Sequence, residues 1–182
     1  MSSRILTYLL FLSLTLSSFQ ETNYAPLFGI LAQPTTSDDQ IVSYGNTNWV
    51  YVRKSYTDWI EEAGGIPVII PFDMDQDKRN SVLSNLQGIL FPGGGTTLFG
   101  QDGKPTKYQK VATEILNFAK SQNDRGIYYP VIGTCLGFQS IVTSLMGEAS
   151  DVLLSDFNDK NLPHKVTKTN QYPLSKFWNS LD

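Results

Sequence analysis

Cys135 is the one cysteine in the chain, and it stands in Gly133-Thr134-Cys135-Leu136-Gly137-Phe138. A thiol among small residues suits a nucleophile where the backbone turns sharply from a strand into a helix. Glycines permit the strained, close-approach backbone of such a turn. The positive end of the helix favours thiolate over thiol. The next amide, that of Leu136, points to where an oxyanion would form. The general alternative for a lone cysteine is a small buried hydrophobe. A second motif, Leu90-Phe91-Pro92-Gly93-Gly94-Gly95-Thr96, runs a short strand into a glycine cluster. It lacks the Lys-Ser/Thr of a phosphate loop and the spaced glycines of a dinucleotide fingerprint. A phosphate cradle and a plain tight turn remain rivals. Backbone amides of the cluster, aimed at an oxyanion, fit better beside a cysteine turn.

Amide hydrolysis by a cysteine needs a base, almost always histidine, to take and return a proton. The only histidine is His164, in Leu162-Pro163-His164-Lys165. It either pairs with Cys135 or is a surface loop residue, and its polar neighbours favour the second. One cysteine and one histidine make a structural zinc site implausible, so no metal is expected. Tyr56 lies on the apolar stripe of its helix, where a core role is the default. Gln139, one turn beyond Cys135, either touches substrate or faces solvent.

The elements that must position these residues alternate in type. Leu27-Phe28-Gly29-Ile30-Leu31 reads as a short strand, and Gln33 to Asp39 as the loop after it. Apolar residues at Trp49, Val52, Tyr56, Trp59 or Ile60, and Ala63 recur with helical period, and Gly64-Gly65 ends that helix. Ile66 to Pro71 is a continuous apolar run, as expected of a strand buried on both faces of a parallel sheet. A polar helix with Val82, Leu83 and Leu86 follows, then the strand Gly88 to Phe91 and the glycine cluster. Tyr108, Val111, Ala112, Ile115, Phe118 and Ala119 mark a longer helix. Val131-Ile132 is the strand before Cys135, and Val152-Leu153-Leu154 offers one more short strand. This rhythm predicts an α/β fold, a mainly parallel sheet with helices on both faces. In such sheets the site lies at the carboxyl ends of the strands, which would bring the Gly93–Gly95 turn and Cys135 together.

The chain has 182 residues, 41% of them hydrophobic, enough for one globular domain with a real core. Its net charge is 14 − 17 = −3, so no basic surface argues for nucleic acid or an anionic membrane. Arg4 followed by the apolar run Ile5 to Leu12, Leu14 and Leu16, then Ser17-Ser18, reads as a signal peptide over residues 1–20. The serines and threonine within that stretch argue against a signal anchor. The expected route is secretory, to the outside or to an acidic lumen. A thiol without a disulfide partner on that route is a liability unless it is buried or used.

Four stretches resemble the gamma-glutamyl hydrolases of the class I glutamine amidotransferase-like superfamily. They are Phe28-Gly29-Ile30-Leu31-Ala32-Gln33-Pro34, Ser55-Tyr56 through Glu62-Ala63-Gly64-Gly65, Leu90-Phe91-Pro92-Gly93-Gly94-Gly95, and Gly133-Thr134-Cys135-Leu136-Gly137-Phe138. The likeness runs from about Pro26 to Gly147 and is loose after that. It implies a three-layer, flavodoxin-like sandwich over residues 21–182 with its C-terminal part missing. It also implies a cysteine peptidase acting on folylpoly-gamma-glutamates or other gamma-glutamyl peptides without cofactor or metal, with a homodimer as an open assembly. Cys135 matches the nucleophile, Gly94 or Gly95 with Leu136 the oxyanion hole, and Tyr56 a tyrosine near the site. Gln139 departs from the family's glutamate at that position. The family's catalytic histidine lies in a His-Pro-Glu-type motif that this sequence lacks, so it is expected beyond Asp182. His164 falls in an intervening segment.

Overall fold

The computed structural model describes residues 24–35, 49–153, 165, 167 and 170. The signal-peptide expectation, most of the loop before Trp49, and His164 lie outside the described residues. Five strands and four α-helices alternate: β1 Leu27–Pro34, β2 Val50–Tyr51, α1 Lys54–Glu62, β3 Ile66–Pro71, α2 Gln76–Leu83, β4 Gly88–Phe91, α3 Lys107–Asp124, β5 Val131–Gly133 and α4 Leu136–Leu145. A 3₁₀ turn follows at Ser150–Val152.

Four strands form a parallel sheet in the order β3-β1-β4-β5. Leu27 to Ala32 pair with Ile66 to Pro71, Phe28 to Ile30 with Gly88 to Leu90, and Ile89 to Phe91 with Val131 to Gly133. Among the parallel strands this is the doubly wound order of flavodoxin-like sheets, with its switch point between β1 and β4. The α/β fold with a mainly parallel sheet is therefore as expected from the alternation of patterns.

Side chains alternate across the sheet, because successive Cβ atoms of a strand point to opposite faces. Leu31, Ile70, Ile89 and Phe91 enter one core with Leu83 of α2, Tyr108, Val111, Ala112, Ile115 and Ala119 of α3, and Leu136 of α4. Ile30 and Leu90 face the other way, against Ile60 of α1. Asp75 caps α2 by accepting from the amides of Asp77 and Lys78, and Thr106 caps α3 by accepting from that of Gln109. Each cap satisfies an otherwise orphaned N–H of the first turn.

Three expectations need correction. The helix read from Trp49 begins only at Lys54, because Val50–Tyr51 pairs antiparallel with the end of β1, Tyr51 opposite Gln33 and Val50 opposite Pro34. The same pairing draws Gln33 and Pro34 out of the expected loop and into β1. Local helical periodicity lost there to a tertiary ladder, aided by β-prone valine and tyrosine. Second, β3 is not buried on both faces: Ile70 is fully buried, but Ile69 is 41% exposed. Among the described residues β3 pairs with β1 alone, so it is an edge, and Ile69 is not part of the cluster that Ile60 of α1 forms with Ile30 and Leu90. Third, Val152 closes the 3₁₀ turn instead of opening a strand, and Leu154 lies outside the described residues.

Candidate active site

Three adjacent strands deliver the site. Gln33 is near the end of β1, Gly93–Gly95 follow β4, and Cys135 follows β5, all at the carboxyl edge of the sheet. The amide of Thr134 donates to the carbonyl of Phe91 at 3.1 Å, so the ladder between β4 and β5 continues into the cysteine turn.

The cysteine turn is built from its own backbone. Cys135 has φ 49° and ψ −114°, a conformation that favours glycine, and its side chain is exposed. Such a residue stores strain on the order of 1–3 kcal/mol unless the surroundings over-determine it. They do so here: the amide of Gly137 donates to Thr134 O at 2.8 Å and that of Gln139 to Cys135 O at 3.1 Å. Gly137 is pressed so tightly onto β4 that a Cβ there would stand 2.0 Å from the carbonyl oxygen of Phe91. Only a residue without a side chain lets α4 start this close to the strand. Cys135 is also the N-cap of α4 but makes no side-chain cap. Among the described residues the amide of Leu136 has no hydrogen-bond partner.

The glycine turn is held from outside. Tyr56 of α1 accepts a hydrogen bond from the amide of Gly93 at 2.8 Å. Its oxygen also lies 2.8 Å from Thr134 Oγ1, so one phenol joins the glycine turn to the cysteine turn. From beneath, Gln33 Nε2 donates to the carbonyls of Pro92 and Gly93, each at 3.2 Å. Gly93 lies against the nucleophile candidate: a Cβ on it would stand 3.1 Å from Cys135 Cβ. The amide of Gly94 has no hydrogen-bond partner among the described residues. Gly95 is exposed, with open space where a Cβ would be.

Of the residues singled out from sequence, Cys135, Leu136, Tyr56 and the glycine turn meet at one edge. Tyr56 is half-buried beside Ile30, Ile60 and Leu90, so its ring packs while its hydroxyl braces the site. Gln139 is exposed on α4, and its backbone closes the first turn of the helix. Sequence reasoning assigned no role to Gln33, which is 1% exposed. An amide side chain following the apolar run of β1 was the available signal, hidden by its reading as loop. The side chains that touch the two turns, Tyr56, Thr134 and Gln33, are all uncharged. Among the described residues the backbone amides of Leu136 and Gly94 remain as donors without a partner, the kind that suits a developing oxyanion. Among the described residues no three His, Cys, Asp or Glu side chains converge as a metal site would require.

Comparison with known proteins identifies the family of the chain. Residues 26–175 match the model of the family described as peptidase C26. Gamma-glutamyl hydrolase B of Dictyostelium discoideum is 36% identical over 152 residues, 84% of this chain and 41% of that protein. Human gamma-glutamyl hydrolase is 34% identical over 128 residues, 70% of this chain and 37% of that protein. A gamma-glutamyl hydrolase of Glycine max is 27% identical over 149 residues, 82% of this chain and 41% of that protein. The chain thus spans about two-fifths of the length of these relatives. The family match covers most of the chain, which belongs to the peptidase C26 family.

Proposed function

We propose that this member of the peptidase C26 family hydrolyses gamma-glutamyl bonds, with folylpoly-gamma-glutamates as the substrate class and Cys135 as the nucleophile. The single observation that carries the reading is the exposed thiol at a strained strand-to-helix turn, placed directly against the glycine turn. In this reading Cys135 Sγ attacks the carbonyl carbon of the gamma-glutamyl amide. The carbonyl oxygen becomes an oxyanion, received by the amides of Leu136 and Gly94. Collapse breaks the C–N bond, expels the amine with a proton, and leaves a gamma-glutamyl thioester on Cys135. Water then releases the acid and restores the thiol. The names of the relatives supply the bond type.

The proton carrier is a histidine that residues 1–182 do not supply in the family's His-Pro-Glu setting; His164 is the only histidine present. In a second reading, residues 1–182 taken by themselves bind gamma-glutamyl ligands without turning them over. General acid–base help is worth roughly 10² to 10⁴ in rate, so its loss alone would leave little turnover. For localisation, the Arg4 and Ile5–Leu12 pattern supports a secreted or lysosomal or vacuolar protein.

The test is glutamate release from a folylpoly-gamma-glutamate. Turnover by the protein, abolished in Cys135→Ala, is the expected result. Binding heat by calorimetry without release would favour the second reading. Equal release by Cys135→Ala would overturn the nucleophile.

A further inference from the structure

Gln33, which lies against Gly94 of the glycine turn, and Tyr108 of α3 are fully buried, and among the described residues each carries a buried polar atom without a partner. Gln33 and Tyr108 are both 1% exposed. Gln33 spends its Nε2 on the carbonyls of Pro92 and Gly93. Its Oε1 has no hydrogen-bond partner, and neither has Tyr108 Oη. Burial pushes the Tyr108 hydroxyl well above its ordinary range, and the Gln33 side chain works against that shift. The two make no hydrogen bond with each other. Unpaired buried polar groups cost free energy, and an acceptor at Gln33 Oε1 is complementary to a donor at Tyr108 Oη.

The peptide plane turns this grip into a direction. A trans peptide holds its C=O and the following N–H antiparallel, and the described residues contain no cis bond. Gln33 fixes the Pro92 carbonyl, whose peptide continues as the Gly93 N–H, and that N–H reaches Tyr56 on the opposite side. Gln33 also fixes the Gly93 carbonyl, whose peptide continues as the Gly94 N–H. The Gly94 N–H must therefore point away from Gln33. One of two amides turned outward is taken by Tyr56, and the other has no partner among the described residues. The fit is close on the inner side too: a Cβ on Gly94 would stand 1.9 Å from Gln33 Oε1.

We propose that Gln33, backed by Tyr108, is the positioning residue that aims the Gly94 amide at the oxyanion formed when Cys135 is acylated. It rests on the reading of Cys135 as nucleophile. Gln33 touches no substrate; it acts by holding two consecutive peptides in register. Removing its donors leaves two buried carbonyls unpaired and frees the Gly93–Gly94 peptide to rotate.

Two reactions of the same thiol separate this role from a merely structural one. Acylation of Cys135 by an activated gamma-glutamyl ester passes through an oxyanion. Alkylation by iodoacetamide does not, and Cys135 is the only thiol in the chain. In Gln33→Met the acylation rate is expected to fall roughly 10²-fold, the scale of a misplaced catalytic group, while alkylation is unchanged. Tyr108→Phe, which keeps the ring in the core, should lower the same ratio of rates by less. Should Gln33→Met not fold, Tyr108→Phe and Gln33→Glu carry the test by the same ratio. Wild-type acylation rates in folded variants would overturn the role of Gln33 and leave the nucleophile standing. Absence of acylation in the wild-type protein would overturn the nucleophile itself, and the proposal with it.

Discussion

The two turns that meet at the carboxyl edge are built in opposite ways. The cysteine turn closes mainly on backbone: Thr134, Cys135, Gly137 and Gln139 hydrogen-bond with one another or with Phe91 of β4, and one distant side chain, Tyr56, reaches Thr134. The glycine turn is gripped by side chains distant in sequence, Gln33 below and Tyr56 above. One turn stores strain in a glycine-like conformation at a residue that is not glycine. The other uses glycines to admit neighbours that a Cβ would exclude. A nucleophile has to be placed once and held rigidly, which local backbone can do. An oxyanion donor has to be aimed relative to that nucleophile, which takes contacts from elsewhere in the fold.

The largest effect expected from this contrast falls on the cysteine turn. In Gly137→Ala the new Cβ meets the backbone of Phe91, which cannot move without parting α4 from β4. Overpacking of this kind costs about 3 kcal/mol. Thermal unfolding should show that loss, and an unchanged midpoint would mean the helix start is slack.

Next in size is Gly94→Ala, whose Cβ collides with the amide of Gln33. Here the stability loss should be smaller, because a side chain can yield where a strand cannot. Acylation of Cys135 should slow by about 10²-fold, as for loss of one oxyanion donor. Gly95→Ala, with open space around it, is the matched control and should leave the rate unchanged. Equal effects at the two positions would mean that the turn is not aimed by Gln33.

The smallest effect has the opposite sign. Cys135→Gly relieves the positive φ and should stabilise the fold by about 1 kcal/mol, read as a raised denaturation midpoint, while acylation disappears. A destabilised Cys135→Gly would show that the turn carries no strain.

The same contrast explains what the sequence disclosed. Gly133 to Phe138 could be read as a strand-to-helix turn because its glycines, its cysteine and the apolar residues of the flanking strand and helix are contiguous in the sequence. The strand before the glycine cluster was likewise legible from Gly88 to Phe91, buried at all four positions. Gln33 was not, since its place in β1 depends on pairing with Tyr51, a contact across residues that carry helical periodicity. Tyr56 was noticed, but its helical period assigned the ring to the core, and only the family resemblance placed it near the site. The bond that makes it a brace joins residues 56 and 134, which no local pattern connects. Exposure of Ile69 and of Ile132, 37% accessible, was hidden for a related reason. Both lie on the sheet face that carries only the small Ile30, Ile60 and Leu90 cluster, and a strand's own residues do not report what covers them.

The most direct test of the central claim is the position at which a gamma-glutamyl group attaches to the protein. After reaction with an activated gamma-glutamyl ester, acid quench and digestion, mass spectrometry should find the adduct on the peptide containing Cys135 and on no other. An adduct elsewhere, or none while iodoacetamide alkylates Cys135 normally, would contradict the assignment of Cys135 as the nucleophile.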